Sequence, residues 1–449
     1  MRTKPIHSAV IGALTIMALG SGQAVADTND ELKAEINAQR ARLEALEKKL
    51  DAAMRATQDA QAQAQQAQAQ AKEVKTQQAQ VAQQQVASSG LSYQSGNSVV
   101  TLYGLIDATI SHVNHANAKG QSVTSYQTSW FSGDRWGIAG KHGLGNDGLK
   151  AIFKLESEYE VATGNFDDNT RLFNRDAWVG FESPTLGKLT FGRQNAIARD
   201  YTSIYGDPYG GARVTLEEGG YTNNNNFKQL IFYAASATGT RYDRGVVWKK
   251  EFGNFVAGLG YQFGGIAGDF TNGSTKTAAF GYNADGDVFH LAGFVNNFNV
   301  AGLTHKAWSI GGNVIVSPLI RLNAGYYGYD SQQGGGVGNR KDKAYTTSAK
   351  FTPAGPIDFE VGYQVIKAKN AGVNSSGFVL TPYVNANSVT KAVFGDKKTA
   401  YASAFYHFDR QIELYLAIDR MSLTGGYKLA VTNGATDQTE VAVGARFKF

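Results

Sequence analysis

From Val99 to the last residue the chain is written in segments of about ten residues that alternate apolar with polar positions, broken by connections rich in Gly, Asn, Asp and Pro. That period of two belongs to a β-strand with one greasy and one wet face. In the first segment Val100, Leu102, Gly104, Ile106 and Ala108 share one side, while Thr101, Tyr103 and Asp107 share the other. A strand of this kind crosses a membrane only as one stave of a closed barrel, where no backbone edge is left unpaired.

Sixteen such segments can be marked, beginning 98–113, 126–141, 148–160, 171–183, 187–197 and 229–252 and ending at 438–449. An even number is what a closed antiparallel barrel with both termini on one side requires. The connections alternate in length. Compact turns such as Gly253-Asn254, Asp285-Gly286-Asp287 and Asp409-Arg410 interleave with long polar stretches near 198–228, 296–306, 330–343 and 368–397. Short periplasmic turns and long external loops are the habit of outer-membrane barrels. The expected fold is all-β: a 16-stranded antiparallel outer-membrane barrel over 98–449.

Composition agrees. The chain holds 52 Gly but 7 Pro, with 22 Tyr and 24 Phe, a strand-and-turn diet that excludes collagen. No cysteine is present, which removes disulfides, thiolate metal sites and cysteine nucleophiles together. Basic residues number 43 against 38 acidic, too small an excess to argue for a nucleic-acid partner.

The first 97 residues follow other rules. Arg2 and Lys4 precede an apolar run from Ala9 to Leu19 and the small triplet Ala24-Val25-Ala26, the layout of a signal peptide over 1–26. From Asp27 to Ala87 there is no Gly, Pro or aromatic residue, and Ile36, Leu43 and Leu50 recur seven apart with Leu32 and Leu46 between them. A coiled-coil helix over 27–87 is expected, strong in its Leu/Ile half and weak in its Ala/Gln half. Arg42, Leu43, Leu46 and Glu47 resemble the trimer-specifying motif of short parallel coiled coils. Residues 88–97, rich in Ser, Gly and Asn, read as a linker.

Five motifs in order give the barrel a family resemblance: Val100-Thr101-Leu102-Tyr103-Gly104, Asp134-Arg135-Trp136-Gly137-Ile138-Ala139-Gly140, 148–156, Asn174-Arg175-Asp176-Ala177-Trp178-Val179-Gly180-Phe181 and Leu189-Thr190-Phe191-Gly192-Arg193-Gln194. Together they resemble the general porins of β-proteobacteria. The chain also ends on Phe449, with Phe447 on the same face of an amphipathic last segment, which resembles the signal read by the barrel assembly machinery. The resemblance implies a homotrimer in the outer membrane, surrounded by lipid and lipopolysaccharide, each barrel passing small hydrophilic solutes. It implies no cofactor and no metal.

In that family the third external loop folds into the lumen, its acids facing a ladder of wall arginines. By motif match Arg135 and Arg175 fall at ladder positions. The third is Ala234 in one register and Arg241 in the other. Asp207, Glu217 and Glu218 are the candidate loop acids, and Gly210-Gly211 would permit the fold-back. Charges opposed across a narrow gap order water and favour polar solutes over greasy ones. The excess of lysine in the loops predicts a mild preference for anions.

Other functions fit less well. The histidines do not converge: His112 and His115 adjoin a loop, His142 a turn, and His290 and His407 sit in separate strands. A trimeric adhesin would place its coil before a short barrel segment, whereas here a full barrel follows. The remaining alternative is a substrate-selective or structural porin whose coil tethers it to the cell wall or a periplasmic partner.

Overall fold

The structure is a computed structural model and describes residues 33–42, 44–46, 48–49, 51–52, 54–55, 90–117, 119–145, 148–220, 234–374, 377–378, 389, 391–428 and 434–449. The described residues between 33 and 55, Arg42 and Leu46 among them, are helical and exposed. The proposed signal peptide, Leu43, Glu47 and the Ala/Gln half of the coil lie outside the described residues. No described helix is long and apolar enough to cross a membrane. By contacts the chain divides into Met1–Gln80 and Val81–Phe449.

The second unit holds nineteen strands among its described residues. They are β1 (Leu91–Ser95), β2 (Ser98–Val113), β3 (Val123–Thr128), β4 (Arg135–Gly143), β5 (Lys150–Glu158), β6 (Asp176–Ser183), β7 (Gly187–Asn195), β8 (Arg241–Phe252), β9 (Phe255–Gln262) and β10 (Thr275–Asn283). After them come β11 (Phe289–Val300), β12 (Leu303–Ser317), β13 (Ile320–Ser331), β14 (Arg340–Phe351), β15 (Ile357–Asn374), β16 (Gly377–Phe378), β17 (Lys391–His407), β18 (Ile412–Leu423) and β19 (Asp437–Lys448). Consecutive strands pair antiparallel, and β19 closes onto β2 with Ala445 opposite Ala108. With β3 and β4 counted as halves of one stave, and β1 and β16 as additions, the closed barrel has sixteen staves.

The alternation does what the period of two requires. Along β18, Ile412, Leu414, Leu416 and Ile418 are exposed outward, while Glu413, Tyr415, Ala417 and Asp419 are buried inward. Tyr103 and Asp107 of β2 likewise turn inward, and Tyr103 donates to Glu156 at 2.8 Å. The last aromatic is seated: Phe449 exchanges backbone hydrogen bonds with Gly104 at 2.8 and 3.1 Å, and a Cβ at Gly104 would collide with its ring.

Three local expectations are corrected, and one left open takes one of its two forms. The segment 126–141 is not continuous, because β3 and β4 are separated by 129–134, which leaves the sheet and turns inward. Asp107 drives this: its Oδ2 accepts the backbone N–H groups of Phe131 and Ser132, each at 2.9 Å, rewarding the excursion with a charge-assisted pair. The segment 229–252, which the sequence also allows to be a short strand plus part of a loop, takes that form among its described residues, with the strand beginning at Arg241. The stretch 296–306 is a hairpin rather than a long loop. Ala301 and Gly302, both at positive φ, form a two-residue turn, and polar Asn296 and Asn297 remain in β11 because pairing rather than hydrophobicity holds the strand there. Lastly, Leu91–Ser95, inside the expected linker, is a strand, paired with the part of β2 that runs beyond Phe449 and would otherwise be a bare edge.

Candidate constriction site

After Asn195 at the end of β7 the chain turns into the barrel and forms helix α1 (Ile197–Gly206). Nearly all of α1 is buried, so a flat inner wall must receive it. Glycines supply that wall: a Cβ at Gly258 of β9 would meet the Tyr201 hydroxyl at 2.6 Å, and one at Gly311 of β12 would meet the Tyr205 ring at 2.5 Å. Polar wall residues then satisfy the helix end. Asn313 donates to the carbonyls of Ile204 and Ala212 at 2.9 and 2.8 Å, and Tyr205 bonds Ser309 at 2.8 Å.

Beyond α1 the loop crosses the lumen. The Arg321 side chain donates to the Pro208 and Gly210 carbonyls, the latter at 2.7 Å. Tyr209 reaches β18, where its hydroxyl donates to Glu413 at 2.8 Å. Its ring lies near Phe131 from the inward excursion and 5.0 Å from Phe405 of β17. The loop then descends toward the turn end, where Asn283 and the backbone of Val214 exchange two hydrogen bonds at 2.9 and 3.1 Å.

The loop acids do not all face arginines. Glu218 lies 2.6 Å from Lys154 of β5, Glu217 lies 2.9 Å from Lys188 of β7, and Asp200 lies 2.5 Å from Lys249 of β8. Burial alone would raise the Glu218 carboxyl, but the Lys154 ammonium outweighs it and holds it down to about 2. The Lys188 ammonium likewise lowers Glu217. Asp207 sits apart from these, buried, accepting the Tyr209 N–H at 2.9 Å to close the turn.

The arginines gather at the loop end of the neighbouring wall. Arg135 opens β4 opposite Glu158; Arg175 precedes β6 and pairs with Glu156 and Glu158; Arg241 opens β8 with Nε 3.7 Å from Asp176. The structure therefore brings Arg135, Arg175 and Arg241 together, and leaves Ala234 buried as a small residue whose carbonyl accepts from Asn296. A fourth arginine joins them that the motif match did not contain. Arg199, on the first turn of α1, is pushed down to about 9 by burial and by the like charges of Arg241, Arg175 and Arg135, which together outweigh the adjacent Asp200, and it is still cationic at neutral pH. Among the described residues Arg199 has no ion pair, whereas Arg175 has two. Only its position four residues past β7 could have marked it in the sequence. Lys154, Lys188 and Lys249 were legible by strand parity, since each falls on the wet face.

A closed barrel with an inward third loop, acids tied to lysines and arginines clustered on the wall is the geometry of a diffusion pore. The profile of the Gram-negative porin family matches residues 52–426. The chain belongs to this family.

Among curated relatives, an outer-membrane porin of Bordetella pertussis is 33% identical over 279 residues, 58% of this chain and 61% of that one. Outer-membrane porin protein 32 of Delftia acidovorans is 32% identical over 186 residues, 40% of this chain and 47% of that one. The matched part thus spans less than two thirds of either relative. Among solved structures, the anion-selective porin from Comamonas acidovorans superposes with a TM-score of 0.60 at 20% identity, over 78% of this chain and all of that one. The trimer form of OmpT from Vibrio cholerae gives 0.56 at 15%, over 79% of this chain and all of that one. Family and barrel together assign the porin to the outer membrane of a Gram-negative bacterium.

Proposed function

We propose that this porin is a homotrimeric, water-filled channel for passive diffusion of small hydrophilic solutes and ions, with a mild preference for anions and no catalytic role. The observation that carries the reading is the imbalance of charge at the narrowing. Each loop acid named above except Asp207 is neutralised by a wall lysine, while among the described residues Arg199 makes no ion pair and Arg241 Nη2 has no hydrogen-bond partner. Fixed positive charge in a wet, narrow passage raises the local concentration of anions. The Comamonas protein is an anion-selective porin and the Vibrio structure is a trimer, which supports the same reading. Arg135, Arg175, Arg241 and Arg199 would then line the passage, with Glu217, Glu218 and Asp207 holding the loop rather than facing the solute.

The N-terminal region would carry a signal peptide over 1–26 and a periplasmic coil over 27–87 that clamps the trimer, with wall or partner contact as its other use. The helical described residues 33–55 support a helix there. Phe449, seated on Gly104, would be read by the assembly machinery before the barrel closes.

Planar-bilayer recording under a salt gradient tests the channel. Three-step closures and an anion-favouring reversal potential are the expected result. A cation-favouring potential would overturn the selectivity, and no conductance would overturn the pore.

A further inference from the structure

The segment 129–134 leaves the wall between β3 and β4, and one residue of β2 grips it from end to end. At its start the Ser129 N–H donates to the Asp107 carbonyl at 2.9 Å. In its middle the N–H groups of Phe131 and Ser132 both donate to Asp107 Oδ2. At its far end the Asp107 N–H donates to Asp134 Oδ1. The Asp107 side chain is wholly buried, and its other oxygen accepts the Tyr415 hydroxyl of β18 at 2.5 Å. These bonds hold Ser129 at a φ of 58°, a left-handed conformation that a residue other than glycine keeps only where its surroundings impose it.

The gripped segment carries two parts of the constriction. The Gly133 carbonyl accepts Arg135 Nε at 3.0 Å, and among the described residues Arg135 has no ion pair that would aim its guanidinium elsewhere. Only glycine fits at 133, because a Cβ there would collide with the Glu158 carboxylate. Two residues earlier, the Phe131 ring stands 6.1 Å from that of Tyr209 and 4.7 Å, edge-on, from that of Tyr415. Ser132 Oγ accepts Arg446 Nη1 at 3.0 Å, which ties the segment to the arginine that also faces Tyr209. One buried carboxylate thus stands behind a wall arginine and behind the seat of the loop tip.

We infer that Asp107 is a positioning residue for ion selection: it aims Arg135 into the passage through the Gly133 carbonyl and seats the loop tip through Phe131. The inference rests on the reading of Arg135 as a passage charge. It carries a sign that charge counting alone would not give. Asp107 is itself an anion, so removing its charge with no movement would favour anions slightly more. If its work is to aim Arg135, the same substitution favours them less.

The test records reversal potentials of the full-length porin in planar bilayers under a salt gradient, alongside the yield of heat-resistant folded barrel. Arg135→Gln should lower the anion-to-cation permeability ratio by roughly two- to fivefold, the weight of one fixed charge beside the path. Asp107→Asn should lower the ratio by up to the same factor, and in the Arg135→Gln background should lower it no further, as residues that act through one contact do. Tyr415→Phe removes a donor to Asp107, changes no charge and keeps its ring against Phe131. It should shift the ratio in the same direction by less, and it stands in for Asp107→Asn if that variant fails to fold. A ratio that rises or stays level in Asp107→Asn, a level ratio in Tyr415→Phe, or losses that add in the double variant would each overturn the inference. So would a fall in folded yield with the reversal potential of the assembled channels unmoved, because Asp107 would then serve stability alone. An unmoved ratio in Arg135→Gln by itself would instead overturn the passage-charge reading beneath it, so the two failures are distinguishable.

Discussion

Tyr209 and Glu413 tie the tip of the inward loop to the opposite wall: the tyrosine hydroxyl donates to Glu413 Oε1 at 2.8 Å while the ring centroid lies 4.3 Å from the Arg446 guanidinium carbon. Arg446 also pairs with Glu413, so one arginine serves the carboxylate and the aromatic face together. Removing the ring should release the loop tip without touching α1, which is held separately by Asn313 and Ser309. Truncating a packed aromatic costs about 3 kcal/mol. Tyr209→Ala is therefore expected to give larger and noisier single-channel currents at unchanged trimer yield, and Tyr209→Phe, which keeps the cation–π contact, an intermediate phenotype. Currents as quiet as the parent's would show that the latch does not hold the loop.

The second anchor responds to pH. Glu218 is held at about 2, below its ordinary value of 4.5, by Lys154. A depressed carboxyl stabilises the docked loop fully above its unperturbed value and loses that contribution as pH falls from 4.5 through 2. Acid-induced flicker is thus expected to begin below about pH 4.5 and to be complete near 2. Lys154→Met removes the charge that chiefly opposes burial, so the docked carboxyl rises and the pH dependence inverts: the variant is expected to flicker at pH 7 and to quieten as Glu218 protonates on acidification. Recording current noise from pH 7 to 2 on both proteins checks the sign, and an onset unmoved by the substitution contradicts it.

Much of this was legible in the sequence because a membrane barrel exposes its code. Lipid outside and water inside impose the alternation seen in β18, and the turn residues of Gly253-Asn254 and Asp409-Arg410 mark its ends. The failures share one cause. Alternation says which face a residue takes, not whether its stave is interrupted or prolonged. The excursion at 129–134 depends on the Asp107 carboxylate, a partner over twenty residues away in sequence, and polar Asn296 and Asn297 stay in β11 because a two-residue turn lets the ladder run on. At the constriction, motif match found wall arginines, but the pairing of Glu218 with Lys154 and the arrival of Arg199 depend on how a long loop packs, which no local pattern records.

Arg199 separates the two sets of charges. Arg175 is compensated by Glu156 and Glu158, so Arg175→Gln frees carboxylates as much as it removes a cation. Among the described residues Arg199 has no such ion pair. One uncompensated charge a few ångströms from an ion's path is worth on the order of 1 kcal/mol in a wet lumen. Arg199→Gln should therefore lower the anion-to-cation permeability ratio by roughly two- to fivefold, an effect that shrinks in 1 M salt as screening shortens to about 3 Å. Reversal potentials at low and high salt read both, and a ratio unchanged at low salt would remove Arg199 from the selectivity filter.

The C-terminal aromatic offers a test of assembly rather than of conduction. Phe449 bonds the backbone of Gly104 in both directions, and its ring occupies the space that a side chain at Gly104 would need. Gly104→Leu leaves the terminal residues intact but denies the ring its seat. If the terminal aromatic is first recognised by the assembly machinery and then docks on β2, this variant should reach the outer membrane and fail at closure, giving less heat-resistant folded barrel. Phe449→Ala should fail earlier, accumulating in the periplasm. Fractionation and heat-shifted gel migration distinguish the two stages. Identical behaviour of the variants would mean that recognition and docking are a single event.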